Sequence, residues 1–198
     1  LLACEYYDRN HLVQANRCFQ LVAEAFPDAS FARVARFFAT KTSPVGTETV
    51  VQWRDLLLAG DDLSLAAQHE LGLLCLSLDQ FGEAREIFRL LVSHADTDSP
   101  YRYAAKADLA FSWYAEALKK SNDTRCLEEA EQAFNRLVRL EGVPAYWKVT
   151  AQARRGKCLE MLGRSDEALS LYQDLVRDKD DTTLDPPEWG VRETEWVF

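Results

Sequence analysis

The sequence predicts an all-α protein, a helical-hairpin solenoid of about five repeats followed by a further helix, and three observations carry that expectation. First, a small residue is followed twelve positions on by an alanine and four beyond that by an aromatic: Ala3, Ala15, Phe19; Gly72, Ala84, Phe88; Gly156, Ala168, Tyr172. Second, the same trio returns with eight residues inserted, as Ala110, Ala130 and Phe134. Third, prolines and turn-forming clusters fall between the helix-length segments that the trios mark. Antiparallel helices approach closely only where their facing side chains are small, and a ring one turn further on fills the wedge between them. Each hairpin hides its apolar face by stacking on its neighbours, and arrays of that kind hold other molecules more often than they transform them.

Taken in order, the first hairpin covers about 1–28 and is closed by Pro27, which cannot continue a helix. Ala84 follows Ala15 by sixty-nine residues, about two periods of a repeat near 34, so a degenerate repeat is expected over about 29–60. Its helices are read over 31–40 and 49–59, around a loop with Pro44 and Gly46; Val50, Trp53, Leu57 and Leu58 form its apolar stripe, and Asp61-Asp62 ends it. The third hairpin, 63–96, turns at Asp79-Gln80-Phe81-Gly82. The fourth, about 101–141, starts after Pro100, turns at Ser121-Asn122-Asp123-Thr124, and should project by about one helical turn on each helix. The fifth, 145–178, turns at Leu162-Gly163-Arg164. Asp185-Pro186-Pro187-Glu188 then combines an N-cap, a proline in the first turn and a carboxylate three residues after the cap, so a terminal helix is expected over 186–198. Its Trp189, Trp196, Val197 and Phe198 need a partner, supplied by fold-back on the fifth repeat or by self-association.

A formal charge of −9 over 198 residues argues against nucleic acid or an anionic membrane face as partner. No apolar run approaches the ~20 residues of a membrane span. The chain opens inside a helix and without methionine, which reads as a segment of a larger protein taken as one globular unit. Leu1-Leu2-Ala3-Cys4 is similar to a bacterial lipid-attachment box, but a processed lipoprotein would begin at the cysteine, and a repeat helix containing Cys4 is the simpler account. The five cysteines are at least fourteen residues apart, so they offer neither a Cys-x-x-Cys pair nor a zinc-ribbon spacing. Reduced packing thiols without a metal or other cofactor, in the cytoplasm or another reducing compartment, are the expectation.

The hairpins resemble tetratricopeptide repeats. Leu71-Gly72, Phe81, Ala84, Phe88 and Leu91 match that family's spacing in one unit; Gly156, Gly163, Ala168, Tyr172 and Leu175 match it in another; Leu2-Ala3, Leu12, Ala15, Phe19 and Pro27 match most of a third. The resemblance spans about 1–180 and implies a right-handed superhelix whose concave groove, lined by the first helix of each hairpin, binds a segment of a protein or peptide partner. Counted by helical spacing, that inner face carries His69, Glu70, Leu73 and Leu76, then Asp108, Phe111 and Tyr114, then Arg154, Lys157 and Met161. Repeats that clamp the acidic tails of heat-shock chaperones carry cations and amides there. Here His69, Leu73, Asp108, Thr150 and Arg154 stand at those places, and Asp108 would repel a carboxylate. Ala23, Phe26-Pro27-Asp28, Tyr6 and Tyr7 resemble the repeats of bacterial envelope-assembly proteins, which would imply the periplasm instead.

Nothing in the sequence points to catalysis. It has no phosphate-cradling glycine loop, no Gly-x-Ser-x-Gly elbow and no His-Glu-x-x-His, and carboxylate runs such as Glu128-Glu129 read as a solvated helix face. Of the histidines, His11 adjoins a turn and His94 a helix end, which leaves His69 beside Glu70 as the one acid–base pair to weigh. The expected function is a non-enzymatic protein-interaction scaffold. The competing readings are a structural segment of a longer or self-assembling solenoid, and a regulatory repeat portion of an enzyme whose catalytic part lies elsewhere.

Overall fold

A computed structural model describes residues 2–57, 62–96 and 99–177. These residues form helices α1 (Leu2–Asp8), α2 (Leu12–Ala25), α3 (Ala32–Lys41), α4 (Thr47–Leu56), α5 (Asp62–Ser77), α6 (Phe81–His94), α7 (Pro100–Lys119), α8 (Thr124–Val138), α9 (Ala145–Met161) and α10 (Ser165–Arg177), with no strand among the described residues. The chain divides into two compact units, Leu1–His94 and Ala95–Phe198. Within the first, α1 packs on α2, α2 on α3, α4 on α5 and α5 on α6; within the second, α7 packs on α8, α8 on α9, α9 on α10, and α7 also touches α9. The expected helix over 186–198 lies outside the described residues.

The spaced trios sit where helices meet. Ala15, Ala84, Phe88, Ala110, Ala130 and Phe134 are wholly buried, and Ala3, Phe19 and Ala168 nearly so. A Cβ added at Gly72 would stand 2.7 Å from Cζ of Phe88, and one at Gly156 would stand 2.6 Å from Cζ of Tyr172, so each glycine makes room for its ring. Four hairpin turns share one device: Asn10, Asp79, Ser121 and Gly163 take positive φ, and a backbone N–H reaches back five residues. These bonds run from His11 to the Tyr6 carbonyl at 2.8 Å, Gln80 to Cys75 at 2.8 Å, Asn122 to Ala117 at 2.8 Å and Arg164 to Leu159 at 2.9 Å. They satisfy carbonyls that a helix end would otherwise leave open.

The hairpin of α3 and α4 lacks the small residues of the trio: buried Phe37 and Trp53 pack edge to face at 5.1 Å, and polar side chains tie the hairpin within itself and to its neighbours. Asn16 of α2 donates to the Ala39 carbonyl at 2.6 Å, and Arg33 donates to the Leu56 carbonyl at 2.6 Å and to Ser64 Oγ at 2.9 Å, which caps α4 and holds it to α5. α4 is described as Thr47–Leu56, the expected end at 59 lies outside the described residues, and Asp62, expected to close the second hairpin, opens α5. The longer fourth hairpin gains its length beside the turn: α7 runs nine residues past Ala110, whereas α5 and α9 end five past Gly72 and Gly156, and α8 opens six residues before Ala130, whereas α6 and α10 open three before Ala84 and Ala168.

Candidate functional site

The first helix of each hairpin presents two adjacent stripes, and the sequence-derived candidates are split between them. Positions three before and four after the anchor share one stripe at a period of 3.6 residues; positions two before and one after share the next. His69, Leu76 and Tyr114 belong to the first stripe and are buried at 2%, 9% and 4% exposure. The His69 ring lies 6.1 Å from that of Phe88, inside the α5/α6 hairpin. His69 is thus a packing residue and is not presented to an open groove. Glu70 is held by Lys41 of α3 at 2.5 Å, so the pair weighed for acid–base work has its two members in different surroundings.

The second stripe is the more accessible one. Leu73, Phe111, Arg154 and Met161 are partly exposed and Lys157 is exposed, while Asp108 is buried. The Arg154 guanidinium lies 4.9 Å over the Phe111 ring, tying α9 to α7. Met161 packs against the core of the second unit.

Within that unit a pocket of about 710 Å³ opens between α7, α9 and α10, lined by Tyr114, Val149, Thr150, Ala153, Arg154, Lys157 and Tyr172. Tyr114, Arg154 and Lys157 were singled out by spacing from Ala110 and Gly156. Tyr172 is the ring of the Gly156 trio and Thr150 one of the clamp places weighed above, whereas Val149 and Ala153 follow the spacing of the packing stripe on α9. Lys157 pairs with Glu160 at 2.9 Å, which holds the Glu160 carboxyl below its ordinary range. The Tyr172 hydroxyl is pushed up to about 12 by burial and by the Glu160 carboxylate to which it donates a hydrogen bond. Burial likewise raises Tyr114. At neutral pH the lining therefore offers neutral phenols, a hydroxyl, two cations and a largely apolar wall. In the first unit a groove of about 460 Å³ is lined by Gln20, Arg36, Thr40, Gln52 and Asp55 among others, with polar groups of both charges.

Among the described residues, no group of three or more His, Cys, Asp and Glu side chains is placed to hold a metal ion. No described helix is long and apolar enough to cross a membrane. Burial pushes the Cys75 thiol up to about 11 and that of Cys158 up to about 12, so both are neutral packing groups.

No protein-family model matches the chain, and no curated protein matches it. Solved structures do. Two crystal structures of a putative kinesin light chain from Podosopora anserina, described as having nearly identical TPR-like repeats, superimpose with a TM-score of 0.69 at 16% identity. One match covers 89% of this chain and 90% of that one; the other, 91% and 94%. The fold is that of tetratricopeptide-like repeats. The likeness extends over most of both chains, while the low identity leaves the surface residues of the tetratricopeptide-like hairpins free to differ.

Proposed function

We propose that this chain is a protein-interaction module whose second compact unit takes a segment of a partner protein against Phe111, Tyr114, Arg154 and Lys157. The observation that carries the reading is the pocket of about 710 Å³, because Tyr114, Arg154 and Lys157, placed by helical spacing on the inner face that the resemblance implies, line it. An apolar side chain suits the wall of Val149, Ala153 and the tyrosine rings, and an acceptor such as a carboxylate suits the edge where Arg154 and Lys157 stand. Tetratricopeptide-like repeats generally mediate protein contacts, which supports the class of partner. The reading includes a reducing compartment such as the cytoplasm, supported by five free thiols of which three are buried.

A random peptide library displayed on phage and selected on the full chain tests this. Recovered peptides should lose about tenfold or more in affinity for Arg154→Glu and Lys157→Glu, while Gln52→Glu in the first unit leaves binding unchanged. Peptides indifferent to both charge reversals, or the recovery of none, would refute the placement. A structural role within a larger or self-assembling solenoid is the second reading, and the exposed Leu169 and Val176 on α10 favour it.

A further inference from the structure

The groove of the first unit exists for a reason written in α3. One repeat of 34 residues beyond Ala3, Ala15 and Phe19 stand Phe37, Thr49 and Trp53, so a ring takes the place where the other hairpins carry alanine or glycine. Phe37 and Trp53 meet edge to face at 5.1 Å, and α3 touches α4 over a smaller stretch than the helices of the other hairpins share. The residues two and three beyond the anchor add to the difference. They are Leu74 and Cys75 on α5, Ser112 and Trp113 on α7, and Cys158 and Leu159 on α9, each pair with one large side chain. On α3 they are Ala39 and Thr40, and a groove of about 460 Å³ lies over them, between α2 and α4. Arg36, Thr40 and Ser43 of its lining are one before, three after and six after the anchor, a third stripe apart from the two that carry the spacing-derived candidates.

The ionic balance of this groove favours a cation. Glu24 of α2 and Asp55 of α4 line it, each in the last turn of its helix, where the helix dipole disfavours a carboxylate. Among the described residues neither has a hydrogen bond or an ion pair, and nor does Gln20, one turn before Glu24. Arg36, the cation of the lining, already donates to the Pro27 carbonyl at 3.2 Å. We propose that the groove seats an arginine-bearing segment of a partner protein, with the guanidinium held by Glu24 and Asp55 and the Gln20 amide paired with the segment's main chain. A guanidinium fits because its planar fork donates in several directions, and an amide fits a main chain because it both donates and accepts. The site belongs to the first unit and does not depend on the pocket of α7, α9 and α10.

Nitrogen-15 NMR of the full chain tests this with a blocked peptide, acetyl-Gly-Ser-Ala-Arg-Ala-Ser-Gly-amide, and its counterpart with glutamate in place of arginine. The arginine peptide should shift the Gln20 side-chain amide saturably, with a Kd of about 1 mM, and the glutamate peptide should not. Binding that weak is not retained in a display selection, so the outcome is separate from that of the peptide library. Glu24→Gln combined with Asp55→Asn should weaken the arginine peptide at least about fivefold. The same double variant should melt about 1–4 °C higher without peptide, because it relieves two helix ends. A lower melting temperature, undiminished binding by the double variant, or no saturable shift up to about 5 mM would overturn the proposal. So would equal shifts from guanidinium ion alone, since the groove would then hold a free cation and no segment.

Discussion

Gly72→Ala is the sharpest test of the packing logic, because two opposing effects have known sizes. Alanine is favoured over glycine in a helix by about 1 kcal/mol, so a chain without tight packing at this point would gain stability. The added Cβ, however, would stand 2.7 Å from Cζ and 2.9 Å from Cδ1 of Phe88, and closer still to Cε1. The ring has nowhere to go: Phe88, Ala84 and Leu91 are all wholly buried, and His69 lies against it. Overpacking of this kind costs about 1–3 kcal/mol, and three ring atoms in conflict place it toward the upper end, so the net loss should be about 2 kcal/mol. At roughly 2–4 °C per kcal/mol for a chain of this size, the melting temperature should fall by about 4–8 °C. Gly156→Ala meets Tyr172 at similar distances, but that ring is half-buried at the edge of a pocket, so it has open space to shift into at the cost of its hydrogen bond to Glu160. Its net effect should be under about 1 kcal/mol. Thermal and urea melts followed by circular dichroism compare the two, and Phe88→Leu in the Gly72→Ala background should recover part of the loss. A Gly72→Ala protein as stable as the parent, or less harmed than Gly156→Ala, would show that the glycine is not there to admit the ring.

Ala84→Leu and Ala168→Leu should each destabilise by roughly 1–3 kcal/mol, since both alanines lie at helix contacts; two unchanged melts would mean that the repeat register is wrong. Maleimide labelling of the native protein should modify exposed Cys4 and spare Cys75 and Cys158, whose thiols are buried and held neutral; equal labelling of all three would refute that burial. The thiols of Cys75 and Cys158 and the Tyr172 hydroxyl rise from ordinary values of 9.0, 9.0 and 10.0 to about 11, 12 and 12. Since the folded state favours their neutral forms, this stability is complete below pH 9 and is lost as pH climbs from 9 toward 12, so the melting temperature should drop across that window, and a flat profile would contradict the shifts. Elemental analysis should find no stoichiometric zinc or iron, and one metal per chain would overturn the reading of the cysteines as packing groups.

What was legible in the sequence is what packing writes at fixed spacing. Ala84 and Phe88, or Ala168 and Tyr172, must recur because each hairpin solves the same close-approach problem with the same side chains. The α3/α4 hairpin packs larger side chains, Phe37 on Trp53, and adds polar ties. Asn16 and Arg33 reach across to backbone carbonyls of other helices, and such bonds depend on where chain ends meet in space, so they leave no periodic trace.

The candidate surface was only half legible for a related reason. Spacing from an anchor locates a face to within about one position, and a single position turns a helix by 100°. Even smaller angles matter: Leu73 stands about 40° around the helix from His69 and Phe111 about 60° from Tyr114, yet His69 and Tyr114 pack inward while Leu73 and Phe111 are more exposed. Which stripe is covered depends on the following helix, as the burial of Ala107 and the exposure of Ala153 show at one and the same repeat position. A binding face in a repeat array is therefore a property of neighbouring hairpins taken together. Arg154 illustrates it: alone it is a cation on α9, and only beside Tyr114 of α7 and Tyr172 of α10 does it become one edge of a pocket.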